Sequence, residues 1–162
     1  MRVEMEGFGD LPKISADPEL LQQVFTNLYS NSLHALGLGG MIKIKAEITD
    51  RGPNASPTRS PWLRISFEDN GAGINPENIG RVFDPFFTTK DVGEGIGLGL
   101  SVSYGIIQEH GGDIQVESEP DRFTCFIIYL PTEQPNQRSY SKNSHDSWVQ
   151  AANYEPGQDS RR

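Results

Sequence analysis

Residues 17–49 read DPELLQQVFTNLYSNSLHALGLGGMIKIKAEIT, and within them a helical pattern gives way to a strand pattern. Asp17-Pro18-Glu19 supplies an N-cap, a proline at the first helical position and an acid in the first turn, and the glycines from Gly37 onward stop the helix. We therefore predict a helix over 18–36 and, because apolar and polar side chains then alternate, a strand over 41–49. The apolar stripe of this helix is formed by Leu21, Val24, Leu28, Ser32 and Leu36.

More segments of both kinds follow along the chain. A strand pattern at 62–68 (WLRISFE) makes a hairpin with 41–49 across a long loop at 50–61, and two further strands are predicted at 113–119 and 124–130. Helices are predicted near 75–83 and over 98–110. Strands grouped as hairpins, with helices between the groups, favour an α+β two-layer sandwich over a doubly wound parallel sheet.

The length of 162 residues fits one domain, which we assign to residues 1–131. Residues 132–162 contain no Leu, Ile or Phe and are rich in Ser, Asn, Gln and Pro. They cannot bury enough apolar surface to offset the entropy cost of becoming ordered. We predict a disordered polar tail, with a short docking element around Trp148 as the alternative.

Charge and composition argue against several classes of function. The 14 Lys and Arg residues face 22 Asp and Glu residues, and the formal charge of −8 repels nucleic acids and anionic membranes, so neither is expected as a partner. No apolar run approaches the ~18 residues of a membrane span, and the acidic N-terminus is unlike a signal peptide, so a cytoplasmic location is expected. The single cysteine, Cys125, cannot form an intramolecular disulfide or a zinc site by itself.

Three polar residues, Asn27, Asn31 and His34, lie on one face of the first predicted helix at positions i, i+4 and i+7. A solvated face would explain them equally well. Asparagine is a mediocre helix former, however, and its side-chain oxygen is a hard ligand suited to Mg²⁺ that is shared with nucleotide phosphates.

A glycine turn with an acidic residue, EDNGAGI at 68–74, follows the strand 62–68. By itself this pattern is weak, because it also fits an ordinary turn. The carboxylate of Asp69 at the strand end could accept a hydrogen bond from the adenine amine, while Gly71 and Gly73 would let a planar base approach the backbone.

Two segments further along suggest contacts with phosphate. In GEGIGLGLS (93–101) four glycines open a helix, whose exposed N–H groups and positive dipole end suit an anion, although a flexible linker would have the same composition. In DPFFTTK (84–90) the two adjacent aromatics, Phe86 and Phe87, could anchor a hinged lid or simply plug the core, and Lys90 could reach a phosphate.

Taken in this order, the four motifs resemble the catalytic and ATP-binding domain of bacterial-type sensor histidine kinases, in the GHKL superfamily, over about residues 10–131. QQVFTNLYSNSLHAL is similar to the N box, DNGAGI to the G1 box, FDPFFTTK to the F box and GEGIGLGLSVSYGIIQEHGG to the G2 box. The resemblance implies a mixed sheet packed on about three helices, with 76–96 as the ATP lid.

The resemblance also assigns roles to residues. Asn31 would bind Mg²⁺, Asp69 would read adenine, and Gly97 to Ser101 would form the phosphate-binding helix start. The nucleotide-contacting set is expected to comprise Asn27, Asn31, His34, Asp69, Gly71, Gly73, Ile74, Phe86, Lys90, Gly95, Gly97, Leu98, Gly99, Leu100, Ser101 and Thr124.

Asn27 and Asn31 are the expected catalytic residues. In gyrase-like and MutL-like ATPases of the superfamily the position of Asn27 is a glutamate that activates water, and an amide cannot take that proton. The resemblance therefore implies a kinase that holds Mg-ATP for an acceptor histidine on a dimerisation and phosphotransfer domain in trans, with a response regulator downstream.

None of His34, His110 and His145 lies in the family's acceptor-helix sequence, so a fragment or a split kinase is expected. The alternatives are a non-catalytic nucleotide-dependent binding module and an anti-sigma-factor-like serine kinase. One departure concerns Asp121-Arg122-Phe123, where family members usually carry glycines. A difference from the family is therefore expected at the rear of the adenine pocket.

Overall fold

A computed structural model describes residues 1–37, 39–55, 57–90 and 96–133 of the chain. Most of the predicted tail, from residue 134 onward, lies outside the described residues, and so does Gly95. Within the described part, no helix is both long and apolar enough to cross a membrane.

The fold is α+β, as predicted. Its strands are β1 (Arg2–Glu6), β2 (Met41–Arg51), β3 (Pro57–Asp69), β4 (Asp113–Glu119) and β5 (Phe123–Pro131), and its helices are α1 (Pro18–Ala35), α2 (Pro76–Ile79) and α3 (Gly99–Glu109). The strands form one sheet in the order β1-β2-β3-β5-β4. Only β1 and β2 run parallel, and the other pairs are antiparallel, which makes the sheet mixed.

Two features of the sheet differ from the prediction. Strand β1 was not predicted, because a five-residue acidic segment at an edge carries a weak local signal; it pairs Val3 with Ile42 and Met5 with Ile44. The predicted loop 50–61 is shorter than expected because β2 continues to Arg51 and β3 begins at Pro57, with Pro53–Ala55 as a 3₁₀ turn between them.

Helix α1 begins where its cap predicts. The Asp17 carboxylate accepts hydrogen bonds from the backbone N–H groups of Glu19 (2.9 Å) and Leu20 (3.2 Å), which satisfies two of the free donors of the first turn. The same residue connects α1 to α3, since its backbone N–H donates to Nε2 of His110 at 2.9 Å. The start of α1 therefore meets the end of α3, and the two helices run antiparallel across the sheet.

The core lies between these helices and the sheet. Its fully buried side chains include Val24 and Leu28 of α1, Ile107 of α3, and Ile42 and Ile128 of the sheet. A smaller cluster of Cys125, Ile127 and Tyr129 lies on the opposite face of the sheet with Trp62 and Phe123. Burial raises the pKa of the Cys125 thiol to about 11, so this cysteine stays protonated and unreactive at neutral pH.

Candidate nucleotide-binding site

A cavity of about 550 Å³ opens between α1, the end of β3, the start of α3 and the segments around 82–90 and 96–98. Of the sequence-predicted site residues, eleven line it: Asn31, His34, Asp69, Gly73, Ile74, Lys90, Gly97, Leu98, Gly99, Leu100 and Thr124. The structure thus brings together residues that are up to 93 positions apart in the chain. Asn27, Gly71, Phe86 and Ser101 do not line the cavity, and Gly95 lies outside the described residues.

Asp69 provides the buried acidic group of this cavity. Its side chain is 2% exposed. One carboxylate oxygen, Oδ2, accepts a hydrogen bond from Oγ of Ser32 at 2.6 Å, and the other, Oδ1, accepts one from the backbone N–H of Gly71 at 3.0 Å. Burial raises the pKa of Asp69 above its ordinary value, while these two hydrogen bonds act in the opposite direction.

The glycines of the turn after β3 are required by its packing. At Gly71, a Cβ would lie 2.7 Å from the carbonyl oxygen of Ala35. At Gly73, φ is +69° and a Cβ would lie 2.2 Å from the carbonyl oxygen of Glu119. Gly71 therefore supports the site from outside the cavity, by donating to Asp69, while Gly73 forms part of its wall.

The turn between β4 and β5 holds that glycine turn in place, although its sequence departs from the family pattern. Asp121 adopts the left-handed conformation usual for glycine, with φ of +59°, and asparagine and aspartate tolerate this region best among non-glycine residues. Its backbone N–H donates to the carbonyl of Ala72 at 2.8 Å, and Ser118 Oγ accepts from Ile74 N at 2.9 Å. Arg122 forms an ion pair with Glu119 on the exposed side of the turn.

The polar face of α1 points toward the other end of the cavity. The side-chain oxygen of Asn31 accepts a hydrogen bond from Nζ of Lys90 at 3.3 Å, so it already faces a cation. His34 is exposed at the cavity rim, and its Nδ1 lies 2.6 Å from the carbonyl oxygen of Ser30. The other ring nitrogen, Nε2, takes no part in this contact.

Asn27 is placed differently from its two neighbours on the same face. Its amide nitrogen donates to the carbonyl oxygen of Gly99 (3.0 Å) and to Oγ of Ser103 (3.1 Å). Ser103 Oγ in turn donates to the same carbonyl at 2.8 Å. Asn27 therefore connects α1 to the first turn of α3 instead of lining the cavity.

The start of α3 forms the third wall. Gly97 has φ of +71°, and a Cβ there would lie 2.6 Å from the backbone of Phe86 and Phe87. The helix begins at Gly99, so the unpaired N–H groups of its first turn lie at the cavity. The Ser101 hydroxyl instead donates to the carbonyl of Leu98 at 3.0 Å, within the helix.

Of the two phenylalanines in the loop after α2, Phe87 lines the cavity and Phe86, the expected nucleotide contact, does not. Phe86 is 70% exposed and lies outside the cavity, with φ of +66°. Phe87 lines the cavity, and the Arg81 guanidinium lies 4.6 Å from the centre of its ring. The backbone bond from Phe86 N–H to the Gly97 carbonyl (2.9 Å) fixes this orientation. Adjacent side chains of a loop point in different directions. Because a loop has no regular period, the local sequence does not show which of the two points inward.

Sequence reasoning missed several residues of the site. Thr88 and Thr89 lie in the predicted lid, where the sequence predicts no role for them, whereas Ser32 lies at a position of the apolar stripe of α1. No local signal identifies Ser32, because its partner Asp69 is 37 residues away. The lining residues that are absent from the expected nucleotide-contacting set are Ser30, Ala35, Ala72, Val82, Phe87, Thr88, Thr89, Ile96 and Phe126.

The family of the chain follows from comparison with known proteins. A family model described as histidine kinase-, DNA gyrase B- and HSP90-like ATPase matches residues 16–134, and the chain belongs to this ATP-binding family. Within it, the chain is an ATP-binding catalytic domain of the sensor histidine kinase type, as the motifs predicted, and its relatives favour neither the binding-module nor the serine-kinase alternative.

Two relatives and one solved structure illustrate the match. The chain is 40% identical over 121 residues to sensor histidine kinase ZraS of Escherichia coli K12, covering 75% of this chain and 23% of that one. It is 37% identical over 134 residues to sporulation kinase E of Bacillus subtilis, covering 83% and 17%. The catalytic domain of histidine kinase ThkA superposes with a TM-score of 0.63 at 33% identity, covering 81% of this chain and 79% of that one. The chain thus spans less than a quarter of the length of these two curated relatives.

Proposed function

We propose that this domain positions Mg-ATP for phosphoryl transfer to a histidine on a separate dimerisation and phosphotransfer domain, as one step of a two-component pathway that ends at a response regulator. The observation that carries the proposal is the shared cavity: a buried carboxylate at one end, and a helix start with an amide oxygen and a lysine at the other. We place the reaction in the cytoplasm, because ATP is available there.

The adenine end is proposed at Asp69. Each oxygen of its carboxylate accepts one hydrogen bond from the protein, and each has a second lone pair. The exocyclic amine of adenine can donate to such an acceptor. Gly73 and Thr124 also line the cavity, and the proposal places the planar ring beside them.

The phosphate end is proposed at the start of α3 and at Lys90. The N–H groups of the first turn from Gly99, together with the helix dipole, attract an anion despite the negative charge of the whole chain. Lys90 lines the same cavity as this helix start, and its ammonium donates to Asn31. Its flexible ammonium can exchange its bond to Asn31 for one to a phosphate oxygen.

Asn31 is the proposed protein ligand of Mg²⁺. Its oxygen already accepts from the Lys90 ammonium, and a hard amide oxygen beside phosphates matches the preference of this ion. Among the described residues, no three His, Cys, Asp or Glu side chains converge on one point, so the remaining ligands would be phosphate oxygens and water. When bound, Mg²⁺ would neutralise charge that develops on the transferred phosphoryl group.

Transfer to an acceptor, in preference to hydrolysis, is proposed from the acid–base groups of the cavity. Asp69 is the only carboxylate among its described lining residues, and it lies at the adenine end. Asn27 cannot act as a base, and its amide is already bonded to Gly99 and Ser103. Water at the phosphate end therefore meets no carboxylate of the described residues that could activate it.

The test is a phosphotransfer assay with γ-labelled ATP, Mg²⁺ and a compatible dimerisation domain supplied in trans. The label is expected on a histidine of the added domain, in an acid-labile and base-stable form. The chain alone should neither label itself nor turn over ATP near the ~1 to 10³ s⁻¹ of typical enzymes. Labelling of His34, His110 or His145, or rapid hydrolysis by the chain alone, would overturn the proposed reaction.

A further inference from the structure

Ser32 is a buried hydroxyl that the ATP-binding roles described so far do not use. It is 1% exposed, and its Oγ lies 2.6 Å from Oδ2 of Asp69. Helix α1 thus contributes two functional positions in succession, Asn31 facing the phosphate end and Ser32 facing the adenine end. An ordinary packing residue on this face would need no hydroxyl.

The direction of this hydrogen bond determines what Asp69 can offer a ligand. An ionised carboxylate only accepts hydrogen bonds, whereas a protonated one carries an O–H donor. The carbon at position 6 of the purine carries an amine donor in adenine and a carbonyl acceptor in hypoxanthine and guanine. An ionised Asp69 therefore suits adenine, and a protonated Asp69 suits a 6-oxopurine.

We propose that Ser32 is the positioning residue for adenine selectivity: its hydroxyl donates to Asp69 Oδ2 and holds the carboxyl group as an acceptor toward position 6 of the purine. This inference rests on the proposed adenine contact of Asp69 and adds the residue that sets its selectivity. The second donor, the backbone N–H of Gly71, acts on the other oxygen and cannot be removed by a side-chain change.

The Ser32 hydroxyl matters because the carboxyl group of Asp69 is buried. Loss of water around Asp69 raises the pKa of its carboxyl group, and the Ser32 hydroxyl is the largest of the opposing influences. Without Ser32 the carboxylate would take up a proton at a higher pH. Adenine selectivity should then be lost at a higher pH than in the parent protein.

Few other charged groups of the described chain face this carboxylate. Its cross-strand partners, Ile42 on β2 and Thr124 on β5, carry no charge. His34 on α1 and Lys90 after α2 share the cavity. Glu68, Glu117 and Cys125 lie on the opposite face of the sheet, where alternation along the strands places them.

The experiment measures the dissociation constants of ATP and inosine triphosphate by calorimetry from about pH 5 to about pH 8. Both ligands carry the same triphosphate, so titration of the phosphates largely cancels in the ratio of the two constants. The variants are Ser32→Ala, which removes the hydroxyl, and Ser32→Thr, which keeps it. If the extra methyl group of threonine prevents folding, Ser32→Cys replaces it, because its thiol is a donor without that methyl group. Ser66→Ala, on β3 but on the other face of the sheet, is the matched control.

We expect Ser32→Ala to weaken ATP binding about tenfold at neutral pH, the equivalent of ~1.4 kcal/mol, and to move the loss of ATP preference to a higher pH. Ser32→Thr and Ser66→Ala should keep the parent profile. If Ser32→Ala keeps the parent profile while Asp69→Asn weakens ATP binding, the role of Ser32 is overturned and the adenine contact stands. If Asp69→Asn also leaves ATP affinity unchanged, the adenine contact itself is overturned.

Discussion

Replacing Asp69 with asparagine should separate nucleotide binding from folding. In the variant, the amide oxygen can still accept from the N–H of Gly71, and the amide nitrogen can donate to the Ser32 hydroxyl. Both existing hydrogen bonds of the site therefore persist, and only the bond to Ser32 reverses its direction. The amide nitrogen then occupies the Oδ2 position as a donor. The donor meets the adenine amine, and the hydrogen bond between ligand and carboxylate is lost.

The expected loss of ATP affinity follows from the charge of the carboxylate that accepts this hydrogen bond. A hydrogen bond to a charged group contributes about 1.5–3 kcal/mol, which corresponds to roughly a 10- to 150-fold weaker affinity for ATP. Without ligand, the variant should be at least as stable as the parent, because a carboxylate that is 2% exposed is replaced by a neutral amide.

The stability difference should depend on pH. Since burial raises the pKa of Asp69 above the ordinary 3.8, the folded parent binds this proton more tightly than the unfolded chain. Its free energy of unfolding therefore decreases as the pH rises through the window from the ordinary value to the raised one. The asparagine variant has no titrating group at this position and should lack that decrease.

Calorimetry with ATP and denaturant unfolding without nucleotide measure the two effects separately. The reasoning is refuted if ATP affinity is unchanged in Asp69→Asn, because the carboxylate then does not read the base. It is also refuted if the unliganded variant loses several kcal/mol of stability, because the charge of Asp69 would then be a structural requirement of the fold.

Three further predictions concern the walls of the cavity and the helix pair. Gly73→Ala should destabilise the protein by about 2–4 kcal/mol, because of the positive φ and the 2.2 Å approach of a Cβ to a backbone oxygen. Asn31→Ala should abolish the Mg²⁺ dependence of ATP affinity, measured by calorimetry with and without the ion, and leave the unfolding midpoint unchanged. His110→Ala should cost about 1 kcal/mol in denaturant unfolding, because the bond from the Asp17 N–H is lost.

Each of these three predictions has either a matched control variant or a stated result that would contradict it. Gly105→Ala, in the interior of α3 with open space around its Cβ position, should instead stabilise by about 0.5–1 kcal/mol; equal effects of the two alanines would show that φ and close approach do not matter. A large loss of stability in Asn31→Ala would make Asn31 a structural amide. His34→Ala, which removes only an exposed contact within α1, should unfold like the parent. A loss of stability as large as that of His110→Ala would contradict the role of His110 in connecting the two helices.

Local sequence signals were sufficient for most elements of the fold. The cap of Asp17 and the alternation of 41–49 act through neighbours within a few residues, so their physical effect can be read directly from the chain. The same holds for the presence of an acid in a glycine turn. The domain boundary and the disordered tail stay predictions, because most of the residues from 132 onward lie outside the described ones.

Tertiary structure decided which of the candidate residues meet. Ser32 lies at a position of the apolar stripe of α1, yet its hydroxyl donates a hydrogen bond to Asp69, 37 residues later. Asn27 shared a helix face with Asn31, yet it bonds to Gly99, 72 residues later. The helical period determines on which side of the helix a side chain lies. It does not determine which other element packs against that side. Those partners are set by the register of the sheet and the antiparallel packing of α1 and α3, which depend on contacts between segments far apart in the chain.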